Sequence, residues 1–482
     1  MLSLSVHRLP QVKAQQPIQN QGAALVQVGK KYYDAGQFSE AAQVLQQAAQ
    51  ADQAAADGLK QAQALSWMSL AQQKLGHWQE AQAAIDASLS LLESVSRDDQ
   101  SDRVRAQVLN AQGHLQLAKG KAEAALETWQ KAEVRYAQAD DIAGVLGSQI
   151  NQVQALQSLG LYRRAQKLLA QIEQQLEQST DSPLKATGLN NLGNIRRRDG
   201  ELEQSKSILS QSLSVAQRLR LPQAESQAWL SLGNTERSQA KRAEDLNNAA
   251  QAKQYNQEAL NNYQQAATIA TVPITKIQAQ LNQLSLLIET DQLTSIPALL
   301  PQISEALNQL PASRASVYAH VNFAQSLMKL EREPEIIQNS QIIAQLLGNA
   351  IQQAETLEDQ QAKSYALGTL GQLSEKTKNW SDAQKYTLAA LYIAQEINAP
   401  DLTYQWQWQM GRLLQAESES TTHSQDANAE AIAYYTQSLR ILKDLRSDLV
   451  ALNPDIQFSF RESVEPVYRQ LVDLLLRAEQ PS

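Results

Sequence analysis

Glycine, replaced once by valine, returns along this chain at a fixed interval of 40 residues. The positions with this spacing are Gly113, Val153, Gly193 and Gly233, and further along Gly371 and Gly411. Twelve residues after the first three stand the small residues Ala125, Ala165 and Ser205. A fixed period of this length is typical of stacked supersecondary units, each too small to bury its own apolar face. The chain is therefore expected to fold as a repeat scaffold.

The composition favours helices over strands. The chain has 482 residues and is 43% hydrophobic, which is too apolar for a disordered chain and too long for one compact core. Ala, Gln, Leu, Glu and Ser dominate, and no stretch alternates apolar with polar residues over the length of a strand. The sequence predicts an all-α fold.

Charge and residue usage exclude several classes of function. The net charge is −8, so general attraction to nucleic acid or to anionic lipid is not expected. No apolar stretch approaches the roughly 20 residues that span a bilayer. There is no cysteine, hence no disulfide, thiolate metal site or cysteine nucleophile. The N-terminal segment lacks the apolar core of a signal peptide, which predicts a cytoplasmic protein and leaves export open if the natural start lies upstream.

The first repeat unit shows how the pattern specifies its fold. Leu25, Val28 and Tyr32 form one apolar stripe at helical spacing, Gly36 ends that helix, and Phe38 begins the next. A helix, a glycine turn and a second helix form an antiparallel pair.

The same positions recur in later units. Examples are Trp67, Gly76, Trp78 and Ala81, then Leu109, Gly113, Gly120, Ala125 and Trp129, and later Leu367, Gly371, Trp380 and Ala383. These residues resemble the signature of the tetratricopeptide repeat (TPR) family. The resemblance implies a right-handed α-solenoid of about ten helical hairpins. Because most units run near 40 residues, it is closest to the long-repeat, kinesin-light-chain-like branch.

The pattern divides the chain into five segments. They are an N-terminal tail over 1–20, a first array of repeats over 21–271, degenerate helical repeats over 272–357, a second array over 358–446, and a linker with an amphipathic helix over 447–482. Insertions at 239–252 and 416–429 are expected to form loops or helix extensions.

Residues 440–478 resemble the segment that joins TPR arrays to the caspase-like protease domain of cyanobacterial-type CHAT proteins. They predict a helix that ends at Asn453-Pro454 and a new helix that begins near Ser463. The resemblance implies a CHAT-type protease domain in cis or in trans. That family's catalytic cysteine has no counterpart in a chain without cysteine, so this chain is expected not to be an enzyme.

No cofactor or metal site is predicted. The five histidines have no ligand partner three or four residues away. The stretch from Gly113 to Ala122 has a spacing that does not fit a phosphate-binding loop, and the repeat already explains its glycines.

One constellation of residues indicates a binding site. The first helix of each TPR pair lines the concave groove, with equivalent positions side by side. Carboxamide side chains can hold a peptide backbone and arginines match carboxylates, as in the clamps with which some TPR domains hold acidic peptide ends. The residues predicted to bind peptide are Asn190, Asn194, Arg197, Arg198, Asn234 and Arg237.

Two functions follow from this interpretation. The favoured one is a non-enzymatic scaffold that binds an acidic or C-terminal segment of a protein or peptide in the groove, as a recruiting or regulatory module of a CHAT-type protease. The alternative is a ligand-gated regulator, whose superhelix closes around a small peptide or metabolite.

Overall fold

In this computed structural model the described residues are 21–330, 333–420, 424–445 and 460–478. Within those ranges the regular elements are helices, and 20 of them pair in chain order into ten hairpins. Hairpins 1 to 5 consist of α1 (Gln21–Asp34) and α2 (Phe38–Ala54), α3 (Gly58–Leu75) and α4 (Trp78–Glu93), α5 (Asp99–Ala118) and α6 (Ala122–Gln138), α7 (Ile142–Ser158) and α8 (Tyr162–Gln178), and α9 (Pro183–Arg198) and α10 (Leu202–Arg218).

Hairpins 6 to 10 follow the same order. They consist of α11 (Pro222–Asp245) and α12 (Ala249–Ile269), α13 (Pro273–Glu289) and α14 (Ile296–Asn308), α15 (Arg314–Leu330) and α16 (Glu333–Thr356), α17 (Gln360–Lys376) and α18 (Trp380–Glu396), and α19 (Pro400–Ser420) and α20 (Ser424–Leu445). A last helix, α21, spans Phe460–Ala478. The prediction of an all-α solenoid of about ten hairpins is confirmed.

The first helix of each hairpin lies on the inner wall of the solenoid. Each helix packs against its neighbours in the chain, and first helices also contact the first helix of the next hairpin, as α9 contacts α11 and α15 contacts α17. Side chains at equivalent positions of consecutive first helices therefore lie side by side.

Glycines set the close approach of the two helices in a hairpin. A Cβ atom added to Gly193 would lie 2.5 Å from Cγ of Leu209, and one added to Gly233 would lie 2.6 Å from the ring of Tyr263. Since real Cβ atoms essentially never come so close, these positions accept no larger side chain without displacement of the neighbouring helix.

Two expectations about the irregular segments can be compared with the helices. The insertion at 239–252 extends both helices of hairpin 6, so that α11 has 24 residues and α12 has 21. The helix expected near Ser463 begins three residues earlier, at Phe460, and Pro466 lies inside it. The expected helix end at Asn453-Pro454 lies outside the described residues.

Two distant parts of the hairpin series meet across the superhelix. The backbone N–H of Arg314, at the start of α15, donates to the carbonyl oxygen of Gly36 at 3.1 Å. Next to it, a Cβ atom on Gly76 would lie 3.9 Å from Cβ of Ile397. Hairpins 1 and 2 thus contact hairpins 8 and 9, seven hairpins further along.

None of the helices in the described ranges combines the length and apolar character that crossing a membrane requires.

Candidate functional site on the inner wall of hairpins 5 to 9

A cavity of about 650 Å³ opens on the inner wall, between the first helices of hairpins 5 to 9. Its walls come from α9, α11, α13, α15 and α17, with Asn256 of α12 at one side. Polar side chains dominate it, and the two aromatic members are Tyr318 and Tyr365. The inner wall of this solenoid therefore contains a groove large enough for several side chains of a ligand.

A row of asparagines crosses the groove. Asn234, Asn282 and Asn322 line it from three consecutive first helices. Nδ2 of Asn282 donates to Oδ1 of Asn234 at 3.0 Å, and the hydroxyl of Tyr263 donates to the same oxygen at 2.9 Å. These bonds hold the carboxamide of Asn234 in one orientation.

The other end of the row is held from α17. The hydroxyl of Tyr365 donates to Oε1 of Gln325 at 3.2 Å and lies 3.4 Å from Oδ1 of Asn322. Burial raises the pKa of Tyr365 to about 12, so this hydroxyl keeps its proton at neutral pH and remains a donor. Within the described ranges, Oδ1 of Asn282 accepts no hydrogen bond and Nδ2 of Asn322 donates none. The row thus has one acceptor and one donor without a partner among the described residues, and a peptide unit needs such a pair.

Arg197 supplies positive charge at the α9 end of the groove. Its Nε is buried without a hydrogen-bond partner, and among the described residues no carboxylate lies within 4 Å of its guanidinium. Burial lowers the pKa of Arg197, and the neighbouring Arg198 lowers it further. An anion placed here would relieve both effects.

Arg237 is already neutralised. Its guanidinium contacts Oε1 of Glu289 at 2.5 Å and donates to the hydroxyl of Ser285 at 3.1 Å. Burial by itself would lower the pKa of Arg237, but Tyr263 and Glu289 outweigh burial and raise it. Arg237 therefore orders the groove wall, whereas Arg197, with Arg198 beside it on α9, is an arginine of the lining that no carboxylate of the described residues neutralises.

The six residues selected from the sequence separate into two groups. Arg197, Asn234 and Arg237 line the cavity, whereas Asn190, Asn194 and Arg198 belong to α9 but not to the lining. Nδ2 of Asn194 donates to the backbone oxygen of Asn190 at 3.0 Å and to Oγ of Ser231 at 2.9 Å, which links α9 to α11.

The sequence interpretation missed the part of the groove formed by α13, α15 and α17. A signal was present, because asparagine stands at intervals of 40, 48 and 40 residues at positions 194, 234, 282 and 322. The first two follow a glycine, which drew attention to them. In the next two units Leu281 and Val321 replace that glycine, and the repeat signature no longer marks the position.

Among the described residues, no group of three histidine or acidic side chains could hold a metal ion. His114 packs edge-on against Trp129 with ring centroids 5.2 Å apart, and burial lowers its pKa to about 4. It is a neutral packing residue at pH 7.

No known family profile matches the chain, and no curated protein matches it. Among solved structures, the apo form of RapI is similar, with 12% identity, a TM-score of 0.42, and coverage of 78% of this chain and 98% of that chain. A Rap protein complexed with Competence and Sporulation Factor has 9% identity, a TM-score of 0.40, and coverage of 79% and 99%. A kinesin light chain from Podosopora anserina with TPR-like repeats has 16% identity, a TM-score of 0.33, and coverage of 43% and 99%. Since these scores are below 0.5, the functional proposal rests on the residues of this chain alone.

Proposed function

We propose that this protein is a non-enzymatic interaction scaffold that binds an extended protein or peptide segment in the groove between hairpins 5 and 9. The observation that carries the proposal is the row of Asn234, Asn282 and Asn322, which line the groove and are held by hydrogen bonds, while one acceptor and one donor remain without a partner among the described residues. A row of this kind recognises backbone, which every peptide has, and leaves sequence preference to the neighbouring side chains.

The charge at one end gives the ligand a direction. Arg197 and Arg198 have no carboxylate partner among the described residues, and burial lowers the pKa of both guanidinium groups. The proposed ligand is therefore an acidic or C-terminal segment whose carboxylate lies at α9 and whose backbone runs along the asparagine row toward α17.

Capture of peptides from a random pool tests this function. The immobilised full chain is incubated with random decapeptides that carry a free C-terminal carboxylate, and in parallel with the same pool amidated at the C-terminus. Hydrogen bonds to charged groups contribute about 1.5–3 kcal/mol, so replacing Arg197 and Arg198 by Ala is expected to weaken capture of the acid pool about tenfold or more. Capture should also fall as salt rises.

The chain offers a matched control for that double variant. Arg163 and Arg164 are also adjacent arginines, but they are exposed on α8, a second helix. Replacing both by Ala changes the net charge by the same amount and should leave capture unchanged. Equal loss of capture in the two double variants, or equal capture by wild type and by the Arg197/Arg198 variant, would contradict the assignment to the groove.

The link to a CHAT-type protease rests on the resemblance of residues 440–478 alone. In that setting the groove would recruit a substrate or an activating partner for a protease domain in cis or in trans. The genomic sequence that follows the codon for Ser482, together with the adjacent reading frames, tests this context directly.

The second candidate function is a ligand-gated regulator, and one observation favours it. The contact between hairpins 1 and 2 and hairpins 8 and 9 closes the superhelix in this structure, and a peptide or metabolite that binds more tightly to the closed form would stabilise it.

A further inference from the structure

One side chain concentrates the contacts that close the superhelix. The guanidinium of Arg314 donates to both carboxylate oxygens of Asp359, at 2.5 and 2.8 Å. It also donates to the backbone oxygen of Lys74, and it lies over the ring of Phe38, 4.9 Å from the centroid. With the backbone bond to Gly36, Arg314 joins hairpins 1 and 2 to hairpins 8 and 9. These five residues are named the latch below.

The latch is largely removed from water. The side chain of Arg314 is 14% exposed and that of Asp359 is 1% exposed. A charge pair with so little exposure is stable only when its hydrogen bonds are complete. Here Oδ1 of Asp359 also accepts from the backbone N–H of Ala362 at 3.0 Å and so caps α17. When hairpins 1 and 2 move away, Arg314 loses its two backbone acceptors and the face of the Phe38 ring, and the arrangement is no longer complete.

The latch and the groove share two helices. Arg314 begins α15, and eight residues later the same helix carries Asn322, a distance of about 12 Å along the axis. Asp359 caps α17, which carries Tyr365. The hydroxyl of Tyr365 bonds to the groove residues of α15. Both helices are therefore fixed at one end by the latch and contribute groove side chains within about two turns of it.

We propose that the latch regulates the groove: the closed latch orders α15 and α17 for ligand binding, and a bound ligand in turn favours the closed latch. The inference rests on the proposed function for the identity of the ligand. Coupling between two sites is reciprocal. The factor by which opening of the latch lowers the affinity of the groove for its ligand therefore equals the factor by which a bound ligand raises the equilibrium constant for latch closure.

The first experiment measures closure without a ligand. The chain has no cysteine, and a Cβ atom on Gly76 would lie 3.9 Å from Cβ of Ile397, within the range of a disulfide. In full-length protein with Gly76→Cys and Ile397→Cys, the disulfide fraction across a series of glutathione ratios gives the effective concentration of the two thiols. Strain from a cysteine at the positive φ of position 76 is the same in every variant of this background and cancels from the comparison.

Two double substitutions are compared in that background. Arg314→Ala with Asp359→Asn breaks the latch without leaving a buried charge, and Asn keeps an oxygen to cap α17. The control is Arg412→Ala with Glu375→Gln, which removes a bidentate pair of 2.9 Å bonds between adjacent hairpins. The latch variant is expected to lower the effective concentration about tenfold or more, and the control to change it less than about twofold. A change of less than twofold in the latch variant would overturn the latch.

The second experiment measures the coupling. Backbone amides over residues 318–325 should exchange hydrogen faster in the latch variant and slow again when its disulfide is formed. Capture of the carboxylate-ended decapeptide pool should fall about fivefold or more in the reduced latch variant and recover on oxidation. Unchanged exchange in 318–325, or equal capture in both redox states, would overturn the coupling. If the wild type captures no peptide, the proposed function fails, while the disulfide and exchange measurements still decide the latch and its coupling.

Discussion

Hairpins 1 to 5 and hairpins 6 to 9 end their first helices with the same backbone turn made from different residues. In the first group a residue one or two positions after the end of the helix has positive φ and is always glycine: Gly36, Gly76, Gly120, Gly160 and Gly200. In the second group the corresponding described residues with positive φ are Asn247, Asp291 and Lys378. In both groups the next residue donates its N–H to the carbonyl five residues earlier, as Glu201 does to Arg196 and Gln292 to Leu287. The turn is constant and only its sequence signature fades.

The comparison shows that the clearest repeat signature and most of the proposed functional residues lie in different regions. Most of the groove, from α11 to α17, and the latch residues Arg314 and Asp359 belong to hairpins 6 to 9. Where Gly193 and Gly233 hold two helices close, Leu281 and Val321 occupy the equivalent positions and pack in the core. The same position is therefore filled in two ways: by glycine, with close approach of the second helix, in hairpins 5 and 6, and by a larger apolar side chain in hairpins 7 and 8.

The largest expected effect comes from a change at Gly193. Gly193→Val would place side-chain atoms against Leu209, 2.5 Å from the added Cβ, and should lower the free energy of unfolding by about 3 kcal/mol. The equivalent residue of hairpin 8 is already valine, so the same side chain is accommodated there. Chemical denaturation followed by circular dichroism measures the loss.

The control for that change is Gly147→Ala. Gly147 is exposed in α7, and nothing lies within 4 Å of an added Cβ atom. Because glycine inside a helix is unfavourable, this variant should gain about 0.5–1 kcal/mol. A Gly193→Val protein as stable as the wild type would show that close approach at this position does not define hairpin 5.

The next effect depends on pH and concerns Asp199, which ends α9. Burial, then the nearby Glu201, raises the pKa of Asp199 from 3.8 to about 6. The folded protein therefore holds this proton more tightly than the unfolded chain, and stability falls as pH rises from about 4 to about 6. Allowing for solvent screening of a half-buried group, the loss is about 1–2 kcal/mol.

Asp199→Asn removes that titration. The difference in unfolding free energy between variant and wild type should shift in favour of the variant across this pH window and stay constant above it. Denaturation curves at half-unit pH steps would reveal the trend. A difference that is flat from pH 4 to 6 would mean that Asp199 ionises normally in the folded protein.

The smallest expected effects compare the two kinds of turn directly. Nothing lies within 4 Å of a Cβ atom added to Gly200, whose φ is +81°, so Gly200→Ala measures backbone strain alone and should cost about 1 kcal/mol. At the same turn of hairpin 7, Asp291→Gly should gain up to about 0.5 kcal/mol, since Asp tolerates this conformation better than most residues. Thermal unfolding measures both changes in stability. If the two substitutions changed stability in the same direction, the two turns would not share one backbone conformation.

The fold could be predicted from the sequence because its determinants are local. One unit contains them all: Gly36 ends a helix, Phe38 begins the next, and Ala41 packs in the core. The units that follow repeat this order, with glycine at the turn up to hairpin 5. The groove was predictable only where asparagine follows the glycine signature, as at Asn234. Asn282 and Asn322 follow Leu281 and Val321 instead of glycine, so the repeat pattern did not show that they line the same groove as Asn234.

The latch could not be read from the sequence for a different reason. A repeat pattern encodes contacts between neighbours, and Arg314 and Lys74 are 240 residues apart. Their contact depends on how far each hairpin between them is rotated relative to the one before it. No motif near either residue specifies the total rotation.

The contact between hairpins 1 and 2 and hairpins 8 and 9 fixes the number of repeats between them. In an open solenoid, a whole unit can be lost or gained with every remaining neighbour interface intact. Here the loss of one 40-residue unit between hairpins 2 and 8 would turn Arg314 away from Gly36 and Lys74 by the rotation of a full hairpin. Changes in length within the closed part are therefore expected as extensions of existing helices, as in α11 and α12, and whole-repeat changes only beyond hairpin 9.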